Sequence, residues 1–454
     1  MESTTRLLLP EVEQALQSAP ASLLDLTREL HAADLADLAQ ALKPDLCLRL
    51  LTILPASTCA DLLEYCDEEV CARLFVPLAD ESMTAATAVI AVMAPDDRAD
   101  LLAILDESLR GQLLAALNEE ESRDIRHLLA YADDSAGSLM TTDFVALSAD
   151  ASAVEAIDAI RQIAQEMETI YQAYAVDPNS TLLGVISLRD LVTAPENSTL
   201  ASVMNPNIIT VADDDDQEEV VRLISKYDLL ALPVVDKNHR IVGIITVDDA
   251  IDIAEEEATE DVQKLGAVDP LESSYLSTPV VELIKARLPW LIVLFLAVLA
   301  TPFVLERYTA IHPEIAILLG WFVPLIVSSG GNSGTQSASL IIRALALGKI
   351  TPGDTKQVLA REAIVGLTLG VSLACVGALA LVARDATRMT GLVLTIVCSL
   401  VAVVTLGALL GSGIPLVLQR LGIDPAVSST PFIASIVDVA GLIIYFEIAT
   451  VFMT

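Results

Sequence analysis

A carboxylate lies inside an apolar segment close to the end of the chain. Asp438 stands within PFIASIVDVAGLIIYFEIATVF, a segment with the roughly 20 residues that a membrane-spanning helix needs. An ionisable side chain at membrane depth is costly unless it is solvated or paired, so we interpret Asp438 as functional. Glu447 follows nine residues later. At about 100° per residue it faces the opposite side of a helix, near its end, where we expect it to be solvated.

The chemistry open to Asp438 is the binding of a hard cation. Such cations take oxygen ligands, and Mg²⁺ releases its water shell reluctantly, so one or two carboxylates can contact the hydrated ion. A single Asp per chain is sparse for Ca²⁺. In a dimer with twofold symmetry, the same residue becomes a pair that faces one axis.

A second apolar segment carries polar residues that do not suit contact with lipid. PLIVSSGGNSGTQSASLIIRALALGKI contains two adjacent glycines, Gly330 and Gly331, followed by Asn332. Non-helical backbone at membrane depth is tolerated only where protein buries it or where it lines a wet cavity, so this segment indicates a pore lining. Close packing of helices through small residues is the alternative, but packing alone does not require Asn332 and Gln336.

Charge is distributed unevenly along the chain. Of 62 acidic and 26 basic residues, residues 283–454 contain 8 and 10, which leaves 54 and 16, a net charge of −38, in residues 1–282. Such a surplus of carboxylates excludes a nucleic-acid binder, because phosphate contacts need Lys and Arg. It favours a cation as partner, although an acidic surface that only serves solubility has the same composition.

Some of these carboxylates are spaced to share one face of a helix. Asp96 and Asp100 are four residues apart, as are Glu257 and Asp261. Like charges at this spacing repel each other, and a bound divalent cation would remove that penalty. We therefore expect metal to favour a compact arrangement. Solvated surface charge is the alternative for each carboxylate taken alone.

The acidic half contains two kinds of element. Residues 1–135 repeat a short phrase at helical spacing, ADLADLAQAL, ADLLEYC and ADLLAIL, which predicts an all-helical, superhelical N domain. Residues 136–200 and 201–253 repeat each other, each with a Met-containing turn, a strand, an amphipathic helix and a closing strand, LLGVISLRDL in one and IVGIITVDDA in the other. Residues 254–283 predict a connecting helix that is acidic at its start.

The doubled α/β pattern resembles a tandem pair of CBS domains. Such pairs commonly dimerise and can bind adenine nucleotides. The resemblance makes Arg189 and Asp190 of the first half, and Thr246 and Asp249 of the second half, candidates for binding ATP. A pair that serves only as a dimerising scaffold is the alternative.

The last 171 residues, 284–454, predict a five-helix transmembrane domain. Its apolar stretches are 286–305, 314–342, 363–383, 391–418 and 431–452. The positive-inside rule compares the basic residues on the two sides. One side would receive Lys285, Arg287, Arg343, Lys349, Lys356, Arg361 and Arg420, and the other Arg307, Arg384 and Arg388. This distribution places the N-terminal half in the cytoplasm and the C-terminus outside.

The sequence resembles the MgtE family of magnesium channels and transporters over nearly its whole length. The resemblance rests on YADDSAGSLMTTDFVAL, TVDDAIDIAEEEATEDVQKLGAVD, GGNSGTQSASLIIRALALGKI and GIDPAVSSTPFIASIVDVAGLIIYF, in the family's order. It implies a homodimer in the cell inner membrane, with a pore between the subunits that the second and fifth spans line. It also implies ion recognition by Asp438, with Ala434, Gly330, Gly331 and Asn332 beside it.

The same resemblance implies that cytosolic Mg²⁺ closes the pore by bridging the N domain, the CBS pair and the connecting helix. The carboxylates that match the family's pattern are Glu64, Asp96, Asp100, Glu218, Asp228, Asp249, Asp252, Glu257, Glu260 and Asp261. Mg²⁺ is then both the transported ion and the regulatory ligand, and ATP is an expected modulator.

Together these features predict a multidomain membrane protein that moves Mg²⁺ down its electrochemical gradient and catalyses no reaction. The sequence has no GxxxxGK[ST] phosphate-binding loop, which argues against a primary ATP-driven pump. Two alternatives stay open. One is a secondary transporter for another divalent cation, coupled to sodium or protons, and the other is a membrane-anchored magnesium or nucleotide sensor that does not transport.

Overall fold

The structure is a computed structural model that describes residues 3–18, 23–24, 27, 30–165, 167–271, 275–276, 278–311, 313–383 and 390–453. The chain divides into two compact units, Met1–Glu255 and Glu256–Thr454.

The first part of unit 1 consists of short helices joined by tight turns. Several of these helices begin with residues that satisfy free backbone N–H groups. The Asn118 side chain accepts a hydrogen bond from the Glu121 backbone N–H, and the Glu121 carboxylate accepts one from the Asn118 backbone N–H. Pro44 and Pro95 are the first residues of their helices. A backbone N–H at this position has no partner within the helix, so its absence costs no hydrogen bond. The helices are α1 (Ser3–Ser18), α2 (Ala32–Ala41), α3 (Pro44–Ile53), α4 (Ala56–Glu64), α5 (Glu68–Glu81), α6 (Met83–Ile90), α7 (Pro95–Ile104), α8 (Glu107–Ala116) and α9 (Glu119–Leu128).

The repeated ADL phrase places its leucine in a common core. Leu35, Leu62 and Leu101 are 2%, 0% and 2% exposed. All three belong to one apolar cluster that the short helices enclose. The prediction of an all-helical first part is confirmed.

Two three-stranded sheets of the same topology follow. In each sheet the first strand pairs in parallel with the second, and the second pairs antiparallel with the third. The first half contains β1 (Ala146–Ser148), α10 (Ala153–Ile163), β2 (Gln172–Val176), β3 (Leu182–Ser187), α11 (Leu188–Thr193) and α12 (Leu200–Val203), and the second contains β4 (Val211–Ala212), α13 (Gln217–Tyr227), β5 (Ala231–Val235) and β6 (Ile241–Thr246). The doubled α/β pattern is therefore confirmed.

The two halves interlock through their backbones. Thr141, which opens the first half, exchanges hydrogen bonds of 2.9 and 3.0 Å with Ile244 in the closing strand of the second. Asn205, which opens the second half, exchanges bonds of 2.9 and 3.1 Å with Val185 in the closing strand of the first. Each opening segment thus completes the other half.

The Met and Gly residues of the repeat meet at these crossings. Met140 lies over Gly243, and Met204 lies over Gly184. A methyl group on Gly243 would come within 2.6 Å of the Met140 side chain, and one on Gly184 within 2.4 Å of Met204 Sδ. Glycine is required at both places because the methionine occupies the space of a side chain.

A 19-residue helix, α14 (Val247–Leu265), begins directly after β6. It starts before residue 254, where we expect the connecting helix to begin, and it ends at Leu265. The boundary between the two units falls inside this helix. Asp248 and Asp249 in its first turn suit the positive end of the helix dipole.

The rest of unit 2 consists mainly of long apolar helices. They are α15 (Val280–Val298), α16 (Ala300–Ile311), α17 (Pro313–Gly320), α18 (Val323–Ala346), α19 (Thr355–Ala383), α20 (Thr390–Arg420) and α21 (Thr430–Met453). Within the described part of the chain, four helical stretches are long and apolar enough to cross a membrane: Val280–Ala310, Pro352–Leu381, Thr390–Arg420 and Thr430–Met453. These correspond to four of the five predicted spans, and α18 corresponds to the remaining one, the second.

Two expectations about the second span are wrong. The stretch 314–342 is not one helix, because α17 ends at Gly320 and α18 begins at Val323. The polar run inside it is regular α-helix rather than irregular backbone. Its N–H and C=O groups are thus satisfied within the helix, and no special burial of the backbone is needed.

The glycines of α18 serve close packing, which is the alternative interpretation of this segment. A methyl group on Gly407 of α20 would lie 2.3 Å from Gly330 O, and one on Gly411 would lie 2.1 Å from Gly334 O. The two helix backbones therefore touch along their crossing.

Candidate functional site

Asp438 lies on α21 directly beside α18. A methyl group on Gly331 would lie 3.3 Å from Asp438 Oδ1 and 3.7 Å from Ala434 Cβ. The missing side chain lets the α18 backbone approach the carboxylate. The structure thus brings together three of the five predicted pore residues, Gly331, Ala434 and Asp438.

The other two predicted pore residues have different surroundings. A methyl group on Gly330 would lie 2.5 Å from Val403 Cγ1 and 3.0 Å from Val437 Cγ1, so Gly330 faces neighbouring helices. Asn332 is exposed, as is Gln336 one turn later. These two side chains form a polar stripe on the face of α18 that unit 2 leaves uncovered.

Two serines of the same polar run, Ser333 and Ser337, point the other way. Ser333 and Ser337 are each 6% exposed. Ser333 Oγ donates to Val404 O at 3.0 Å, and Ser337 Oγ donates to Glu362 Oε2 at 2.6 Å. Sequence reasoning did not single out Ser333, Ser337 or Glu362, although the four-residue spacing of the serines is a signal for one helix face.

Glu447 is exposed on α21, as expected of a solvated carboxylate, but it is also held by protein. The Tyr308 hydroxyl donates to Glu447 Oε1. The Tyr308 ring stacks on Phe446, with 4.8 Å between ring centroids. Glu447 therefore ties α16 to α21.

The buried carboxylate of unit 1 is Asp96, in the first turn of α7. It is 8% exposed, and its Oδ1 has no hydrogen-bond partner within the part of the chain that the structure describes. Burial, followed by the neighbouring carboxylates of Asp97 and Asp249, raises the pKa of Asp96 well above its usual range. A buried, unpaired carboxylate oxygen of this kind suits a cation.

Two further carboxyl groups, which the sequence did not point out, act on Asp96 electrostatically. Burial, then the charges of Glu64 and Asp249, raises the pKa of Asp97 to about 8. Burial, then Asp249 and Glu64, raises the pKa of Glu168 to about 7. Asp97 could have been found as the neighbour of Asp96, but no local pattern marks Glu168.

Glu64 and Asp249 complete this group, the acidic cluster (Glu64, Asp96, Asp97, Glu168 and Asp249). Desolvation, followed by Asp61 and Asp249, raises the pKa of Glu64. Burial raises the pKa of Asp249 even though Thr246 donates to it. The cluster draws its members from α4, α7, the segment before β2 and the start of α14.

The remaining predicted metal ligands of unit 1 are more scattered. Glu218 and Asp228 stand at opposite ends of α13, about 15 Å apart along its axis. Asp100 is exposed although Asp96, one turn before it, is buried. Asp252 is exposed, and desolvation, followed by Asp248, raises its pKa.

The predicted nucleotide residues occupy equivalent turns in the two halves. Ser187 Oγ donates to Asp190 Oδ2 at 2.6 Å, and Thr246 Oγ1 donates to Asp249 Oδ2 at 2.5 Å. Both pairs cap the start of a helix. Arg189 is exposed beside the first pair.

The end of α14 belongs to unit 2 and is tied to the turn before α21. Lys264 Nζ contacts the Glu260 carboxylate and lies 2.9 Å from Asp424 Oδ2. Thr430 Oγ1 donates to Leu265 O at 3.1 Å. Burial, followed by Asp424, raises the pKa of Asp261. Of the predicted ligands on α14, Glu260 is thus paired with a lysine, while Glu257 lies half-buried one turn before Asp261.

Among the residues described, no three His, Cys, Asp or Glu side chains are close enough to form a ready-made metal site. The acidic cluster therefore offers carboxylates that are spread apart. Spread carboxylates suit Mg²⁺, which commonly keeps several waters and contacts one or two carboxylates.

An acidic helical array, a pair of interlocked CBS-type sheets and a bundle of apolar helices with an internal carboxylate define a membrane cation transporter with regulatory domains. Family models match all three parts: "MgtE intracellular N domain" over residues 30–134, "CBS domain" over 136–197 and 200–256, and "Divalent cation transporter" over 323–448. The chain belongs to the MgtE family of magnesium transporters.

Curated relatives match most of the chain. Magnesium transporter MgtE of Thermus thermophilus is 40% identical over 358 residues, which cover 78% of this chain and 78% of that protein. Magnesium transporter MgtE of Enterococcus faecalis is 36% identical over 334 residues, 74% of this chain and 72% of that protein.

Solved structures match the first part of the chain. The cytosolic domain of the Mg²⁺ channel MgtE in complex with ATP has a TM-score of 0.52 and 35% identity, and covers 54% of this chain and 100% of that one. The soluble part of a magnesium transporter has a TM-score of 0.52 and 33% identity, and covers 56% of this chain and 99% of that one.

Proposed function

We propose that this protein conducts Mg²⁺ across the cell inner membrane and that Asp438 binds the ion on its path. One observation carries the proposal. Asp438 lies inside a membrane-spanning helix with its carboxylate against the bare backbone of Gly331, in a chain whose relatives are magnesium transporters. A carboxylate beside free backbone leaves room for an ion that keeps part of its water shell.

The working unit is a homodimer. A single carboxylate is a weak site for a dication, but a twofold axis next to α21 would pair the two Asp438 side chains. One copy supports this arrangement because Asn332 and Gln336 form an uncovered polar stripe on α18, the helix that also carries Gly331. In the dimer, Asn332, Gln336 and Gly331 would line the pore together with the Ala434 backbone.

Cytosolic Mg²⁺ closes the pore by binding the regulatory carboxylates. Asp96 Oδ1 is a buried acceptor without a hydrogen-bond partner in the described chain, and Glu64, Asp97, Glu168 and Asp249 surround it with carboxyl groups whose ionised forms repel one another. A divalent cation there would offset the repulsion and hold the elements together. The other expected ligands are Asp100, Glu218, Asp228, Asp252, Glu257, Glu260 and Asp261.

The helix α14 carries this signal. It begins beside the acidic cluster with Asp249 and ends with Lys264 and Leu265, which contact the turn before α21. A helix of 19 residues is about 28 Å long and stiff on that scale. Fixing its start would therefore bias the position of its end.

ATP modulates this regulation through the CBS pair. A relative's cytosolic domain binds ATP, and the candidate residues here are Arg189, Asp190 and Thr246. Because Asp190 and Thr246 take part in helix-capping hydrogen bonds, nucleotide binding would act on the start of α11 and of α14.

The acidic unit faces the cytoplasm and the C-terminus lies outside. The support is the distribution of basic residues, seven on the side of the connecting helix against three on the other. Of those three, Arg384 and Arg388 lie outside the described residues. The protein catalyses no reaction in this proposal, since a bound, hydrated ion only has to pass.

The test is Mg²⁺ influx into liposomes that contain the purified protein and a fluorescent Mg²⁺ indicator. Asp438→Ala should abolish influx, because it removes the carboxylate that would bind the ion. Glu447→Gln is the matched control, since it neutralises the other carboxylate of α21 and should leave influx within about twofold of wild type. Wild-type influx through Asp438→Ala would reject the proposal.

A further inference from the structure

Glu362 lies at the start of the apolar part of Pro352–Leu381, next to Arg361, and the proposed ion path does not use it. It is ten residues into that stretch, about 15 Å from its start, and its side chain is half-buried. A half-buried carboxyl group is stabilised by a hydrogen-bond donor. Its partner is Ser337 on α18, whose hydroxyl donates to Glu362 Oε2 at 2.6 Å.

The hydrogen bond lies at a partly buried helix contact. Ser337 is 6% exposed, and Glu362 is half-buried. The distance of 2.6 Å is at the short end of the range for a hydrogen bond between two oxygens. No other hydrogen bond joins α18 to α19 among the residues that the structure describes.

Two directional hydrogen bonds leave one face of α18: Ser333 Oγ donates to Val404 O of α20, and Ser337 Oγ donates to Glu362 of α19. α18 meets α20 through Gly334 and Gly411, and α19 meets α20 through Gly366, where a methyl group would lie 2.9 Å from Ala408 Cβ. Contacts between backbones and methyl groups are close but not directional. The two hydrogen bonds together fix the rotation of α18 about its own axis, because only one rotation points Ser333 at Val404 O and Ser337 at Glu362 at the same time.

Rotation of α18 matters for the ion path. Gly331, which faces Asp438, lies six residues before Ser337, about 9 Å along the same helix. A turn of α18 would move Gly331 away from Asp438 and shift the exposed Asn332. We propose that Glu362 is a positioning residue of the ion path, which holds α18 through Ser337 so that Gly331 and Asn332 stand beside Asp438.

The proposal rests on the proposed Mg²⁺ conduction, so the experiment has one readout that depends on conduction and one that does not. The first is Mg²⁺ influx per protein in liposomes. The second is the rate at which a water-soluble maleimide labels Asn332→Cys in a background without the six native cysteines. This rate reports the rotation of α18 whether or not the protein conducts.

Four variants separate the hydrogen bond from other effects. Ser337→Ala and Glu362→Leu remove the bond, and Glu362→Gln keeps an acceptor without the charge. Ser339→Ala is the matched control, because Ser339 Oγ donates to Thr335 O within its own helix. Elution volume and melting temperature in detergent identify any variant that fails to fold. If Ser337→Ala is such a variant, Glu362→Gln and Glu362→Leu decide.

We expect Ser337→Ala and Glu362→Leu each to lower influx about tenfold and to change the labelling rate. The variant that combines Ser337→Ala and Glu362→Leu should show no further loss of influx. Glu362→Gln and Ser339→Ala should stay within about twofold of wild type. Unchanged influx and labelling in folded Ser337→Ala, or a loss in Glu362→Gln equal to that in Glu362→Leu, would overturn the proposal. Absence of influx in the wild-type protein would instead refute the proposed function, and the labelling rates would still decide the role of Glu362.

Discussion

At the scale of single residues, Gly331 sets how closely α18 approaches the proposed ion site. A methyl group there would lie 3.3 Å from Asp438 Oδ1, which is tight enough to displace the carboxylate by a few tenths of an ångström. The cost would fall on the ion site rather than on the fold, because the neighbour is a side chain and not another backbone.

The substitution Gly331→Ala should therefore lower Mg²⁺ influx roughly three- to tenfold without destabilising the protein. Alanine even favours the helix by about 1 kcal/mol over glycine. Gly413→Ala is the control, because a methyl group there would be 3.6 Å from Leu359 Cδ2, an ordinary contact. Influx and melting temperature, measured together, check the prediction. Normal influx in Gly331→Ala would show that α18 does not line the site.

Asp96 is a buried carboxyl group whose ionised form is unfavourable in unit 1. Asp96→Asn removes the charge and keeps the shape, so we expect the metal-free protein to gain roughly 1 kcal/mol, or about 2–4 °C in melting temperature. Mg²⁺ should raise the melting temperature of Asp96→Asn by less than it raises that of the wild-type protein. The control is Asp45→Asn, an exposed carboxylate in the first turn of α3. An unchanged response of Asp96→Asn to Mg²⁺ would remove Asp96 from the metal site.

The raised pKa values of the acidic cluster predict a dependence on pH. Asp97 and Glu168 hold their protons in the folded state up to about pH 8 and about pH 7, above the ordinary range of carboxylic acids. Their contribution to stability is therefore fully present below about pH 4 and is lost as the pH rises through 7 to 8. In chelator, the melting temperature should fall over this range.

Mg²⁺ should counter that fall, because it replaces the protons as the partner of the carboxylates. The stabilisation by Mg²⁺ is thus expected to be larger at pH 8 than at pH 5. Melting curves at both pH values, with chelator and with Mg²⁺, provide the measurement. Equal stabilisation at the two values would argue that Mg²⁺ binds elsewhere.

At the scale of elements, α14 and α18 each perform two tasks on different faces or ends. On α18 the glycines, together with Ser333 and Ser337, face α19 to α21, while Asn332 and Gln336 remain uncovered. On α14 the first turn contributes Asp249 to the acidic cluster, and the last turn places Lys264 against Asp424. Both arrangements follow from helical periodicity and need no irregular backbone.

The Lys264 contact should help to hold the end of α14 in place. Lys264→Gln removes the ion pairs with Glu260 and Asp424, and partly exposed pairs of this kind contribute about 0.2–1 kcal/mol. We expect residual Mg²⁺ current at high cytosolic Mg²⁺ to rise by up to about fivefold. Lys356→Gln, which changes an exposed lysine in the first turn of α19, should have no effect. An equal response of both variants would argue against the contact.

At the scale of the whole molecule, the sequence was sufficient wherever a pattern was periodic. The ADL phrases, the doubled α/β pattern and the apolar spans predicted an all-helical part, two matching sheets and a membrane part. Asp438 was identifiable because a carboxylate is conspicuous in an apolar helix. Its proximity to Gly331 followed only from the structure.

What the sequence could not provide were contacts between residues far apart in the chain. Glu168 lies in a segment without periodicity, and only the folded chain shows that it approaches Asp249 and Glu64. The crossing of the two CBS halves, in which Met140 covers Gly243, is likewise invisible in a linear repeat. The polar run of α18 misled because glycine and serine suggest irregular backbone, whereas in this helix they permit close packing.

If Asp438 binds Mg²⁺ on its path and cytosolic Mg²⁺ closes that path, single channels should respond to both. The measurement is single-channel recording of the purified protein in a lipid bilayer, with Mg²⁺ varied on the side of the acidic unit. We expect Mg²⁺ currents whose open probability falls as cytosolic Mg²⁺ rises, and no Mg²⁺ current in Asp438→Ala. Mg²⁺ currents that ignore cytosolic Mg²⁺, or that persist in Asp438→Ala, would contradict this expectation.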